Sequence, residues 1–264
     1  MKINKMILGI LILFGISSCD KEITLPHGTY LSKVIYNQNI DQIRHYHYNN
    51  QGLLSKREFQ FDNMIMEGFD YKYKGELINQ IDFYEYRNET MYKAMYALIE
   101  YQSQSIVKST FYPFYTSHNG SVSTYEFDNN NRVEQVSSQS KTFVFLYDNR
   151  DNINEVTIYD HANPEYDQKL IYEYDTARNP FYNLDPIHDG YFTSEIDFIH
   201  FKCPNNPAKR TSVIQGDTLS ISEFIYKYNE NDLPIESNEL LNEKYRGYDN
   251  IQSINHKLYV YEIK

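Results

Sequence analysis

One pattern of apolar and polar positions recurs along the chain: two aromatic or apolar residues spaced i, i+2, then Asn, Asp or Gly, then an apolar residue. It reads Tyr46-His47-Tyr48-Asn49 through Gly52-Leu53, and Tyr71-Lys72-Tyr73 through Gly75 to Leu77. It returns as Tyr125-Glu126-Phe127-Asp128 through Val133, Phe145-Leu146-Tyr147-Asp148 through Ile153, and Tyr172-Glu173-Tyr174-Asp175. Tyr226-Lys227-Tyr228-Asn229 through Leu233 and a terminal Tyr259-Val260-Tyr261 complete the clear copies, with weaker ones starting at Ile99 and Ile199. The starts at 46, 71, 99, 125, 145, 172, 199, 226 and 259 lie mostly 25 to 28 residues apart, which marks a repeat. In a strand, side chains alternate faces, so an i, i+2 aromatic pair points one way. Asn, Asp and Gly tolerate the left-handed backbone of a tight turn. The unit therefore ends a strand at a hairpin, and the return strand alternates, as in Leu77, Asn79, Ile81 and Phe83 or Val156 and Ile158. Stacked hairpins predict an all-β fold: an elongated or wrapping antiparallel sheet of repeated Tyr-rich hairpins, with at most one or two short helices.

Two stretches depart from this rhythm. Asn179-Pro180-Phe181 places a capping residue before a proline at a first helical position, which predicts a short helical turn through Leu184, with residues 185–195 as a loop. Residues Glu89–Ile99 carry helix formers, but Tyr92, Tyr96 and Leu98 alternate and the repeat phase expects a strand.

The first residues carry a different signal. Lys2 and Lys5 precede an apolar run from Met6 to Ile16 that ends in Ser17-Ser18, the layout of an export signal. The run is far shorter than the roughly 20 residues of a membrane-spanning helix. Ile16-Ser17-Ser18-Cys19 resembles a lipobox, with Ile16 in place of the usual Leu. The resemblance implies cleavage before Cys19 and a diacylglycerol on its sulfur. The expected organisation is a signal peptide over 1–18, a lipid-anchored tether over 19–28 and one β-repeat domain over 29–264.

Composition narrows the chemistry. Tyr and Phe number 27 and 15, whereas Ala, the best helix former, appears five times. The formal charge is −11, and loss of Lys2 and Lys5 makes it more negative. No block of Lys and Arg is present to meet nucleic acid or anionic headgroups. With Cys19 acylated, Cys203 is the only other thiol, so no internal disulfide is expected. His45 and His47 share a strand face, the geometry of two zinc ligands, but a third ligand is not evident and a flanking role for the aromatics is expected. The turns Asp128-Asn129-Asn130-Asn131 and Asp148-Asn149-Arg150-Asp151-Asn152 lack the spaced acids, central Gly and closing Glu of a calcium loop, so turn chemistry is expected there. Cys203 lies three residues after His200 with no base organised behind it, and is expected to be a buried, inert thiol. Glu126, Glu173 and Glu223 alternate with apolar residues and read as a solvated face. No nucleophile elbow, zinc-protease motif or phosphate loop is found.

The Tyr-x-Tyr-Asp units resemble the tyrosine–aspartate repeats of large bacterial toxin-encapsulating shells. The whole of residues 29–264 is more similar to lipid-anchored repeat proteins of gut-type Gram-negative bacteria, in which Tyr174-Asp175 to Asn179-Pro180-Phe181, Asn205-Asn206-Pro207 and Tyr228-Asn229 to Leu233-Pro234 have close counterparts. Asp20-Lys21-Glu22 resembles the short charged tag that sends some lipoproteins of that group to the cell surface. The expectation is a non-enzymatic, lipid-anchored outer-membrane protein at the surface or periplasmic face, needing no cofactor. It would use the repeat sheet for binding a protein or glycan, or for a structural role. A glycan-binding or glycan-degrading accessory lipoprotein is the alternative.

Overall fold

The computed structural model describes residues 29–36, 42–87, 90–103, 105–113, 120–182, 203–243 and 251–263. Sixteen strands run in order among them: β1 (Thr29–Tyr36), β2 (Gln42–Tyr48), β3 (Leu54–Phe61), β4 (Met64–Lys74), β5 (Leu77–Arg87), β6 (Thr90–Tyr101), β7 (Ile106–Pro113) and β8 (Ser121–Phe127). Then follow β9 (Val133–Ser138), β10 (Lys141–Tyr147), β11 (Ile153–Asp160), β12 (Gln168–Arg178), β13 (Asn205–Ile214), β14 (Asp217–Tyr228), β15 (Pro234–Glu243) and β16 (Ile251–Ile263). Each strand pairs antiparallel with the next, and β16 returns to β1, with Val34 opposite Tyr259 and Tyr30 opposite Glu262. The sheet is thus a closed barrel, which corrects the expected elongated or wrapping sheet. Closure removes the unpaired edges that an open stack of hairpins would expose.

The only helical element among the described residues is the 3-10 turn Pro164–Tyr166. Thr90–Tyr101 is strand, as the repeat phase required. Asn179 caps a single turn, its Oδ1 accepting from Phe181 N at 3.0 Å and its carbonyl from Tyr182 N at 3.2 Å. The expected continuation through Leu184 and the loop over 185–195 lie outside the described residues, as do the signal peptide, Cys19 and the tether.

The repeated unit has one physical form. In four hairpins the residue after the second aromatic, Asn49, Asp128, Asp148 or Asn229, receives the backbone N–H groups two and four residues on, at 2.8–3.1 Å. Three residues after this acceptor the backbone turns left-handed, at Gly52 (φ 78°), Asn131 (61°), Asp151 (63°) and Asp232 (54°). Asn and Asp bear that conformation better than other side chains, which is why the glycine of the motif is dispensable. A β-bulge sits at the second aromatic, between His47 and Tyr48, Lys72 and Tyr73, Glu126 and Phe127, Leu146 and Tyr147, and Lys227 and Tyr228. At four of these five bulges the first residue of the facing strand offers a carbonyl to a tyrosine on its other side. Tyr73 Oη donates to Leu54 O (2.6 Å), Tyr147 to Val133 O (2.7 Å), Tyr174 to Ile153 O (2.7 Å) and Tyr261 to Pro234 O (2.8 Å). Tyr48 makes the same bond to Leu31 O at 2.9 Å. In the unit 226–228 it is the first tyrosine that does so, Tyr226 donating to Pro207 O at 3.1 Å.

The apolar face of every strand points into the barrel. A circular barrel of sixteen strands encloses a water-filled lumen, but here Tyr125, Val34, Val133, Ile153 and Val156 are 0% exposed, so the interior is filled. Phe181 stands edge-on between Tyr46 of β2 and Tyr259 of β16, at 6.1 Å from each ring. Replacing Tyr147 by Phe deletes one buried donor and should lower unfolding free energy by about 1–1.5 kcal/mol in a denaturant titration. Asp232→Gly should raise it by up to about 1 kcal/mol by relieving the left-handed turn. No change for Tyr147→Phe would show that the ladder contributes nothing to stability.

Candidate functional site

The same alternation that turns the aromatics inward turns the charged residues outward. Across β11 to β15, Lys169 meets Glu155 at 2.8 Å, Lys209 meets Glu173 at 3.0 Å and Lys227 meets Glu236 at 2.7 Å. On β4 to β6 both Lys72 (2.7 Å) and Lys93 (2.6 Å) reach Asp82, whose side chain is only 2% exposed. Burial alone would raise the Asp82 pKa, but hydrogen bonds from Lys72, Lys93 and Gln80 outweigh it and hold the carboxyl below its ordinary value. Glu58 follows the same balance: burial raises its pKa, and the bonds and charges of Lys56 and His47 outweigh it and hold the carboxyl below its ordinary value. Glu126, Glu173 and Glu223 lie exposed on this wall, as read from the sequence.

The histidine pair lies on the outer face with ring centroids 6.3 Å apart. His45 Nε2 bonds Gln60 Oε1 at 2.9 Å and His47 Nε2 bonds Glu58 Oε2 at 3.0 Å, so both rings serve cross-strand pairing. No group of three His, Cys, Asp or Glu able to hold a metal occurs among the described residues. The Asp-rich turns spend their carboxylates on backbone N–H groups and on Arg132, which bridges Asp128 and Asp151 at 2.7 Å each. Cys203 is fully buried; burial pushes its thiol up to about 12, and Tyr174 Oη lies 3.1 Å from its sulfur. A thiol so protonated is a poor nucleophile.

Sequence reasoning missed one feature. At the barrel end that carries the repeated turns, a cavity of about 180 Å³ is lined by Tyr30, Tyr48, Tyr182, Tyr261, Arg178 and Asn179, with Gly52 at its rim. Arg178 reaches it because β12 loses register between Tyr174 and Arg178. No local motif announces that irregularity.

No family model and no curated protein sequence matches the chain. A solved porin-like protein from Bacteroides uniformis is similar at a TM-score of 0.51 and 12% identity, covering 89% of this chain and 95% of that one. The two share an architecture. A porin-like protein from Bacteroides vulgatus aligns at 12% identity over 89% of this chain and 99% of that one, with a TM-score of 0.42. These comparisons point neither to tyrosine–aspartate repeats nor to a lipid anchor.

The ion pairs of the wall give the fold an acid limit. A carboxyl whose folded pKa is lowered contributes stability that is fully present above its unfolded value, about 3.9 for Asp and 4.3 for Glu, and is lost as pH falls through the folded value. The melting temperature should therefore hold from neutral pH to about pH 5 and fall below about pH 4. Asp82→Asn should cost about 1.5–3 kcal/mol at neutral pH and make the acid limb shallower. An acid limb unchanged in Asp82→Asn would remove this carboxylate from the account.

Proposed function

We propose that the chain is a lipid-anchored outer-membrane protein whose barrel stands in water beside the bilayer and performs a non-enzymatic binding or structural role. The observation that carries this reading is the charge on the wall, where paired lysines and acids stand among exposed apolar residues such as Leu146, Ile171, Ile225 and Val260. A bilayer-spanning barrel turns an apolar band outward and keeps its polar residues inside, and each Lys or Arg at the lipid midplane costs about 2–4 kcal/mol. This barrel has Leu31, Val34, Ile78, Ile81, Val156 and Leu170 inside, and Lys72, Asp82, Lys169, Glu173 and Lys209 on its outer wall. That arrangement suits an aqueous exterior and a dry core. Attachment is then the task of the lipid, which the Ile16-Ser17-Ser18-Cys19 segment supports.

The topology adds an orientation. Thr29, where β1 begins, and Ile263, where β16 ends, pair at the end of the barrel that carries the repeated Asn and Asp turns. A tether of residues 19–28 spans at most about 35 Å, so that end faces the membrane and the opposite hairpins project away. The Bacteroides uniformis neighbour is described as porin-like; for this chain, the likeness supports the outer membrane as the address and the wall chemistry supports a place outside the bilayer.

Cys19→Ser removes the sulfur that would carry diacylglycerol. The variant should lose acyl label and appear in the soluble fraction as a folded, strand-rich protein without detergent. A variant that stays in the membrane fraction and needs detergent would overturn the proposal.

A further inference from the structure

The cavity at the turn end is built, in part, by a glycine with two duties. Of the four repeated turns, three place Asn131, Asp151 or Asp232 at the left-handed position, and only this one places Gly52 there. A Cβ on Gly52 would lie 2.5 Å from the Tyr30 hydroxyl and 3.3 Å from its Cζ. The absent side chain is therefore the space into which Tyr30 leans. The Tyr30 ring packs against Tyr48 at 4.8 Å between centroids, and the Tyr48 hydroxyl is fixed on Leu31 O. Tyr261 is held by Pro234 O in the same way. Backbone carbonyls thus fix the Tyr48 and Tyr261 hydroxyls, and Tyr30 is placed by its packing on Tyr48.

Among the described lining residues Arg178 bears the only formal charge. Burial lowers its pKa, opposed by the neighbouring Tyr182 phenol. A partly desolvated guanidinium gains more from an anion than an exposed one does, and its planar fork matches a carboxylate. The volume is that of about six waters, well below the roughly 300 Å³ of drug-sized sites, and suits one six-membered ring. Aromatic walls suit the face of such a ring.

We propose that this cavity binds a single ring bearing a carboxylate, with Arg178 on the carboxylate and the Tyr30, Tyr48, Tyr182 and Tyr261 rings around the body of the ligand. The inference deepens the binding role proposed above and gives it a ligand class. Two sources share this chemistry: an acidic sugar of a glycan and a small aromatic acid.

The test uses the full chain carrying Cys19→Ser, with galacturonic acid, its methyl ester and benzoate titrated by calorimetry. The charged sugar or benzoate should bind, the neutral ester at least about tenfold more weakly than the acid, since a charge-assisted bond of ordinary strength is lost. Binding of galacturonic acid alone identifies the sugar source, and of benzoate alone the aromatic one. Arg178→Gln should weaken binding about tenfold or more, and Arg178→Lys should retain part of it. Gly52→Asn keeps a residue the turn tolerates, as Asn131 does, but crowds Tyr30, and should also lose binding while its circular dichroism and melting curve stay close to the parent. Equal affinity for acid and ester, undiminished binding in Arg178→Gln, or no binding of either acid up to roughly 10 mM by folded protein would each overturn the proposal. Because the assay is run in solution, its failure leaves the lipid-anchor reading standing, and a variant that remained in the membrane would leave this one standing.

Discussion

A tyrosine turned into a dry interior brings a hydroxyl with it, and that hydroxyl must find an acceptor or cost about 1–3 kcal/mol. This constraint organises the barrel. Each repeated hairpin contains a bulge that interrupts the ladder at its second aromatic, and the strand facing the bulge begins with a carbonyl outside the regular pairing. The next strand supplies the phenol that takes it: Tyr73 for Leu54, Tyr174 for Ile153, Tyr261 for Pro234. Four hairpins, those that open β3, β9, β11 and β15, thereby prepare the acceptor that the neighbouring strand's tyrosine needs. Repetition at a near-constant spacing follows, because an extra pair of residues before the bulge would move the phenol away from its carbonyl.

The same bonds hold one end of the barrel to a fixed geometry. They gather the Asn and Asp turns, the start of β1, the end of β16 and the Arg178 cavity at one rim, while the opposite rim is made of unlike hairpins such as Asp62-Asn63 and Gln215-Gly216. Filling the interior with aromatic and aliphatic side chains leaves the charged residues to the outer wall, where Leu146, Ile171, Ile225 and Val260 are exposed among them. Strand number and closure describe the path of the backbone, and the identity of the alternate residues decides which solvent each face meets.

Most of the strand content was legible in the sequence because its cause is local. The i, i+2 aromatics and the Asn or Asp after them specify strand and turn within a few residues, and the repeat phase correctly overrode the helix formers Ala94 and Ala97 in β6. The burial of Cys203 was also readable, whereas the cross-strand bonds of His45 to Gln60 and of His47 to Glu58 were not. Closure was not. It depends on β1 meeting β16 from the far end of the chain, as in the bond from Ser32 Oγ to Val260 O across 228 positions, and nothing local encodes it. The open sheet expected from hairpin stacking failed for that reason. The cavity was hidden likewise, since Arg178 arrives through a register break and Tyr182, Tyr30 and Tyr261 converge from three distant segments.

The central claim is that the outer wall faces water and the inner wall faces a dry core. Single cysteines at Thr157, Ile171 and Thr211 on the outside, and at Leu170 on the inside, can be read with a membrane-impermeant maleimide on membranes carrying the lipidated protein and opened to the reagent. Cys203 gives little background because it is buried and its thiol stays protonated. The account predicts rapid labelling at all three outer positions and none at residue 170 until the protein is unfolded. Protected outer positions together with a labelled residue 170 would mean a lipid-facing wall around a wet lumen, and would contradict it.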